Sequence, residues 1–311
     1  MQPRWFNIAV VVLWLSTMGW LVTEKVLPPL LIGEPPKYET VIDATANGPD
    51  EPVVWNLSIN NNPLGWASSH TTTKEDRMVE MTSQVHLERF PLAELAPSWL
   101  ANMLDPDGRG QGEMQIDTRT IVELVAGKLQ GFRTSVDFGP LTNAILISGV
   151  VNGSDLRLSV RAGEFAYART HPLPGDTLVG DGLSPRARLS RLRVGQTWTE
   201  PIYSPFHQPN SPMQILQAKV EYQEPLAWNG QVINTVVVVY RNDPGAELNG
   251  SRLARGRAWV REDGVVLKQE VQLLGSKLVF MRLPRGQMPT ESQEHAHVKQ
   301  PTHAAAIAPA G

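Results

Sequence analysis

Between residues 53 and 284 apolar and polar residues alternate in short runs, and turn-forming Asn and Gly residues break the runs at regular intervals. Successive side chains of a strand point to opposite faces, so this period of two constrains the fold more than any other feature of the chain. In the first run Val53, Trp55, Leu57 and Ile59 occupy alternate positions; a turn at 61–64 leads into a return strand over 65–72. In Met78–Arg89 the residues Val79, Met81, Val85 and Leu87 take one face and Glu80, Gln84, His86 and Glu88 the other. That suits an antiparallel sheet with one wet face. Further strands are expected at 114–124, 128–137, 144–151, 156–161 and 165–169, with Asn152-Gly153 as a hairpin signal. Met213–Tyr222 and Gln231–Arg241 flank Asn229-Gly230; strands at 256–261, 265–274 and 277–283 close the series around Asp263-Gly264 and Gly275. The expected fold is mainly β, a large antiparallel curved sheet or open half-barrel, which limits free edges. One or two short helices interrupt it: Pro91–Leu104, kinked at Pro97, and a turn or two within Arg186–Val194.

The first residues have a different character. Ile8–Val22 carries no charge, and extending the run back to Trp5 adds only Asn7 as a polar residue. A membrane-spanning helix needs about 17–25 mostly apolar residues. Trp5, Trp14 and Trp20 fall in this run, and indole rings favour the lipid–water interface. A cleaved signal peptide calls for small residues after a shorter apolar run, whereas Trp20 and Leu21 are bulky. The reading is a single-pass transmembrane anchor over residues 1–23. Arg4 before the run places the N-terminus in the cytoplasm and the rest of the chain outside the membrane. Residues 24–52 form a Pro-rich linker, 53–284 the extracytoplasmic β domain, and 285–311 a disordered tail.

Composition excludes several kinds of chemistry. The chain has no Cys, which removes a thiol nucleophile, a thiolate metal site and a disulfide framework. A net charge of −3 gives no basic excess for nucleic acid. The acidic loop Asp105–Glu113 lacks calcium-loop spacing, with Arg109 at its fifth position and Ile116 at its twelfth. His295, His297 and His303 lie in the tail, and His86 falls on the polar face of its strand. Nucleophile-elbow, Ser-x-x-Lys, His-Glu-x-x-His, Walker and dinucleotide-binding motifs are absent. No catalytic residue, metal or cofactor is assigned.

Three segments carry a resemblance: Asn62-Pro-Leu-Gly-Trp66, Val194-Gly-Gln-Thr-Trp198 and the hairpin Ala258–Glu270. Together they resemble uncharacterised β-rich exported bacterial domains, some of which precede transglutaminase-like catalytic domains. These are similar in turn to the half-barrels of lipoprotein carriers. The resemblance implies an accessory or binding module in a Gram-negative periplasm. Transglutaminase-like catalysis needs a Cys that this chain lacks, so no catalytic role transfers. The expected function is a membrane-tethered, non-catalytic module acting on an envelope component, protein or lipid. The alternatives are a carrier of a lipid or other apolar ligand in the concave face, and an unrecognised hydrolase using loop Ser, Asp or His residues.

Overall fold

A computed structural model describes residues 4–21, 52–74, 78–90, 114–125, 128–172, 180–181, 184–189, 192–203, 213–242, 253–273, 275–287 and 289. Among them are one helix, α1 (Arg4–Leu21), and a single sheet. The first half of the sheet is β1 (Val53–Ile59), β2 (Asn62–Thr73), β3 (Met78–Phe90), β4 (Met114–Val125), β5 (Lys128–Phe138), β6 (Leu141–Asn152), β7 (Asp155–Ala162) and β8 (Phe165–Pro172). The second half is β9 (Gly180–Asp181), β10 (Thr197–Tyr203), β11 (Met213–Trp228), β12 (Gln231–Asn242), β13 (Ala254–Arg261), β14 (Val266–Leu273) and β15 (Ser276–Arg282). Its order is β8-β7-β6-β5-β4-β3-β2-β1-β15-β14-β13-β12-β11-β10-β9. Two meanders are therefore joined where the first strand pairs with the last, Leu57 opposite Phe280 and Trp55 opposite Arg282. All neighbours are antiparallel except the short β9, which runs parallel to β10.

The turns explain the register. Asn60 and Asn61 both have positive φ, as do Asn229 and Gly230. Two consecutive left-handed residues make the tight hairpin turn whose twist matches the flanking strands, and Asn and Gly tolerate that conformation best. Register shifts at Leu57/Ser58, Glu123/Leu124, Val136/Phe138, Val220/Tyr222 and Trp259/Val260 add local bends. The result is a curled sheet. One core cluster takes Trp55, Leu87, Phe138, Ile147 and Leu158 from the first meander and Trp198, Val238, Ala258 and Phe280 from the second. A contiguous core drawn from both halves marks that face as the inner one. A smaller cluster of Val237, Val239 and Trp259 lies on the opposite face.

Several expectations are corrected. Helix α1 forms where the apolar run predicts it, but no helix among the described residues is long and apolar enough to cross a membrane. Its 18 residues span ~27 Å at the α-helical rise, short of the ~30 Å hydrocarbon core. Arg4 and Asn7 take up its first turn. The segment 184–189 is not helical; it contains bends and a single bridge, Arg188 to Val265. Strands β9 and β10 were not expected, and β11 runs six residues beyond Tyr222 to Trp228. The expected helix at Pro91–Leu104, the linker 24–52 (save Pro52) and most of the tail lie outside the described residues.

Candidate functional site

Residues paired across antiparallel strands share a face, so the register maps the inner surface. Ser69 of β2 is opposite Ser83 of β3, and the same row continues through position 120 to Thr134 of β5. This polar row interrupts an otherwise apolar surface, with Ala67 and Val85 on one side of it. The hydroxyls of Ser69 and Ser83 are buried and have no hydrogen-bond partner. The indole Nε1 of Trp55, on the adjacent strand, is likewise unpartnered, and Trp55 is 0% exposed. His171 Nε2 is also buried and unpartnered on this face, since His171 pairs with the core residue Leu156. Burial, with Arg169 beside it, lowers the His171 pKa below 6.5. Buried polar atoms are nearly always satisfied, so these unpartnered atoms stand out on the inner face.

A second polar group on the inner face is internally paired. Glu200 of β10 is fully buried and forms an ion pair with Arg186. It also accepts from Trp198 Nε1 at 3.4 Å. Trp198 meets the ring of Tyr240 edge-on, with centroids 6.5 Å apart, and burial raises the Tyr240 pKa. The Arg186 amide donates to Gln269 Oε1 at 3.1 Å. Leu189 N donates to Gly264 O and Val266 N to Ala187 O. Segment 184–189 is thus bound to the β13–β14 turn and to the inner face.

The same segment brings a basic group to one end of the sheet. Arg282, the cross-strand partner of Trp55, donates from Nη1 to Ala187 O at 3.0 Å. Its guanidinium carbon lies 5.7 Å from the Trp55 ring centroid. Trp228 Nε1 donates to Arg282 O at 2.7 Å, so the β11–β12 hairpin reaches this end as well. Asp263 is committed to Arg261, which donates from Nε at 2.9 Å and Nη2 at 2.6 Å. The Arg261 fork holds the Asp263 carboxyl below its usual pKa. Burial, with Arg188, Arg261 and Arg285 gathered around it, brings the Arg282 guanidinium down to about 10.

The outer face carries a different cluster. His86 Nδ1 lies 2.5 Å from Asp117, Nε2 lies 3.8 Å from Glu88, and the ring stacks on Trp66 at 5.6 Å. Both ring nitrogens face carboxylates rather than a serine hydroxyl, so His86 does not form the Ser–His pair a serine hydrolase requires. Trp5, Trp14 and Trp20, expected to serve as an anchor, are on α1, exposed to 69%, 57% and 67%. The loop 105–113 and the tail histidines are outside the described residues. Sequence reasoning missed Ser69, Ser83, Arg282 and Glu200, because a polar residue at an inward position looks like a break in the alternation. In the case of Arg282, its pairing with Trp55 depends on a contact between the two ends of the domain.

No protein-family model matches the chain, and no curated protein matches it. Its structure is similar to the β-barrel-like protein of domain of unknown function DUF1849 from Brucella abortus, with a TM-score of 0.45 and 10% identity, over 75% of this chain and 95% of that one. A domain from Vibrio parahaemolyticus described as outer membrane lipoprotein-sorting gives a TM-score of 0.20 at 9% identity, covering 85% and 98%. A DUF1329 family protein from Desulfovibrio piger gives 0.17 at 10% identity, covering 84% and 97%. A domain that precedes transglutaminase-like enzymes is not shown by these likenesses.

Proposed function

We propose that the chain is a non-catalytic extracytoplasmic binding module that carries an apolar ligand against the inner face of its curled sheet. The observation that supports this most is the set of buried, unpartnered atoms Trp55 Nε1, Ser69 Oγ and Ser83 Oγ on that face. Left unmet, each disfavours the folded state by about 1–3 kcal/mol; a ligand with a few polar atoms on an apolar body meets them. Small-molecule sites have this composition, mostly apolar with a few placed polar groups. Helix α1 supports attachment to a membrane, since Val10, Val11, Leu13, Trp14 and Leu15 are all exposed. A helix apolar on every side is stable only against an apolar surface.

The test uses the full chain, in nanodiscs, and dansyl-undecanoic acid as a fluorescent acyl probe. Saturable binding is expected, weakened at least five-fold by Ser83→Val with no loss of thermal stability. Binding that is absent, or unchanged in the variant, refutes the carrier reading. Deleting residues 1–30 is expected to release the protein from the membrane fraction; retention there refutes the attachment.

A further inference from the structure

We infer that strand β8 is the contact through which two copies of this chain associate, pairing edge to edge and antiparallel about a two-fold axis at Ala168. The inference concerns a partner and does not depend on the carrier reading. β8 ends the sheet on one side, with β7 beside it and no strand of the described residues beyond it. Phe165, Ala166, Ala168, Arg169, Thr170 and Pro172 are exposed, so that side is open. The opposite end of the sheet is blunted in the usual ways. There β9 has two residues, Pro201 takes a donor from β10, and Arg186 of segment 184–189 reaches Glu200. In contrast, β8 runs for eight residues with one charge, Arg169, and a Pro only at its last position.

The β7–β8 turn determines which backbone groups of β8 are free. Gly163, with φ +56°, and Glu164 form a two-residue turn, and Ala162 pairs with Phe165. In such a hairpin the closing pair exchanges both hydrogen bonds, and bonded and non-bonded pairs alternate from there. The register holds without a shift to Pro172. Phe165, Tyr167, Arg169 and His171 therefore bond to β7, while Ala166, Ala168 and Thr170 turn N–H and C=O outward. Pro172 has no N–H. One register alone lets an antiparallel copy meet all three outward residues. Ala168 stands opposite Ala168 of the second copy, Ala166 opposite Thr170, and Thr170 opposite Ala166. The three pairs exchange two hydrogen bonds each. Their side chains are small and lie on the outer face, across from Arg161, Ser159 and Arg157 of β7. On the inner face Arg169 meets Tyr167 of the second copy, a cation against an aromatic ring. Phe165, 41% exposed, meets His171. Moving the axis to Arg169 sets the two guanidinium groups against each other and puts Pro172 opposite Ala166. Moving it to Tyr167 leaves Thr170 against Glu164, in the turn. The strand is thus complementary to itself in both hydrogen bonding and charge.

The experiment uses the full chain in detergent micelles, where light scattering is expected to give twice the mass of one chain. The chain has no Cys, so a single introduced thiol reports the register. Ala168→Cys is expected to form a disulfide-linked dimer on mild oxidation, because opposed residues of a bonded pair lie about 5.5 Å apart at Cα, within disulfide reach. Ala166→Cys and Thr170→Cys should each fail to link alone, being on the order of 13 Å from their own copies, and should link when mixed. Ala168→Pro removes hydrogen bonds between the copies and none to β7; it is expected to weaken the dimer by roughly ten-fold or more, with circular dichroism unchanged. Ala168→Lys sets like charges on the axis and gives the same reading if the Pro variant does not fold. A native chain of single mass overturns the inference. A dimer that both variants leave intact, or that links at 166 as readily as at 168, also overturns it and places the association on another surface.

Discussion

The buried pair Arg186–Glu200 gives the sharpest stability prediction. Glu200 is 0% exposed, and its carboxylate has Arg186 and the Trp198 indole as partners. Arg186→Ala removes the cation and leaves a carboxylate in the core. Removing one partner of a buried pair typically destabilises by about 3–5 kcal/mol. Arg186 keeps about a fifth of its side chain exposed, so water can partly replace it; the low end, about 3 kcal/mol, is the expected loss. For a domain of this size that lowers Tm by about 6–12 °C. Glu200→Gln retains an acceptor for Trp198 and removes the charge, so its effect should be smaller. The double variant Arg186→Met with Glu200→Leu is expected within about 1 kcal/mol of the native chain, because apolar replacement of both partners is often neutral. Urea unfolding followed by tryptophan fluorescence measures all three against the native chain. A loss below about 0.5 kcal/mol for Arg186→Ala, or a double variant as unstable as the single, refutes the assignment of this pair as the clamp on segment 184–189.

Other changes are also specified. A Cβ at Gly149 would lie 2.3 Å from Phe132 Cε1 and 2.9 Å from Leu156 Cδ1; Gly149→Ala should therefore destabilise by about 1–3 kcal/mol, and Phe132→Leu in the same chain should recover part of it in a melting assay. Ser83→Ala removes an unsatisfied buried hydroxyl and should raise the ligand-free Tm; a fall in Tm counts against the orphan assignment. His171 has a folded pKa below 6.5, so its contribution is complete above pH 6.5 and is lost as pH falls from there through the folded value; a His171→Gln chain should show a flatter stability profile over that window. Asp263 is depressed as well: its contribution holds above its ordinary pKa of 3.8 and disappears as pH falls through the folded value, so Asp263→Asn should remove that acid-limb slope.

The hairpins were legible because inward apolar positions and turn residues agree. Trp55, Leu57 and Ile59 all fall in the core, as does every second residue from Leu156 to Ala162. Strand β10 was hidden because Trp198, Glu200 and Ile202 take the inner face; a buried charge interrupts the apolar rhythm, and Pro201 follows it. Strand β11 was cut short because the register shift at Val220/Tyr222 resets its alternation. Residues 186–189, expected within a helical turn or two, instead bond to the β13–β14 hairpin, which is distant in sequence. The candidate site was illegible for the same reason. Trp55 and Arg282 are separated by nearly the whole domain, and only the pairing of β1 with β15 brings them together. A serine at an inward position reads as weak patterning until its neighbour across the sheet proves to be another serine.

The proposed carrier role requires that the inner face hold an apolar-chain ligand through Trp55, Ser69 and Ser83. Native mass spectrometry of the full chain, released from nanodiscs after incubation with sodium palmitate, tests it directly. A one-to-one non-covalent palmitate adduct is expected, and Ser83→Val and Trp55→Phe should each diminish it. A spectrum showing only ligand-free protein, or an adduct that both variants leave intact, contradicts it.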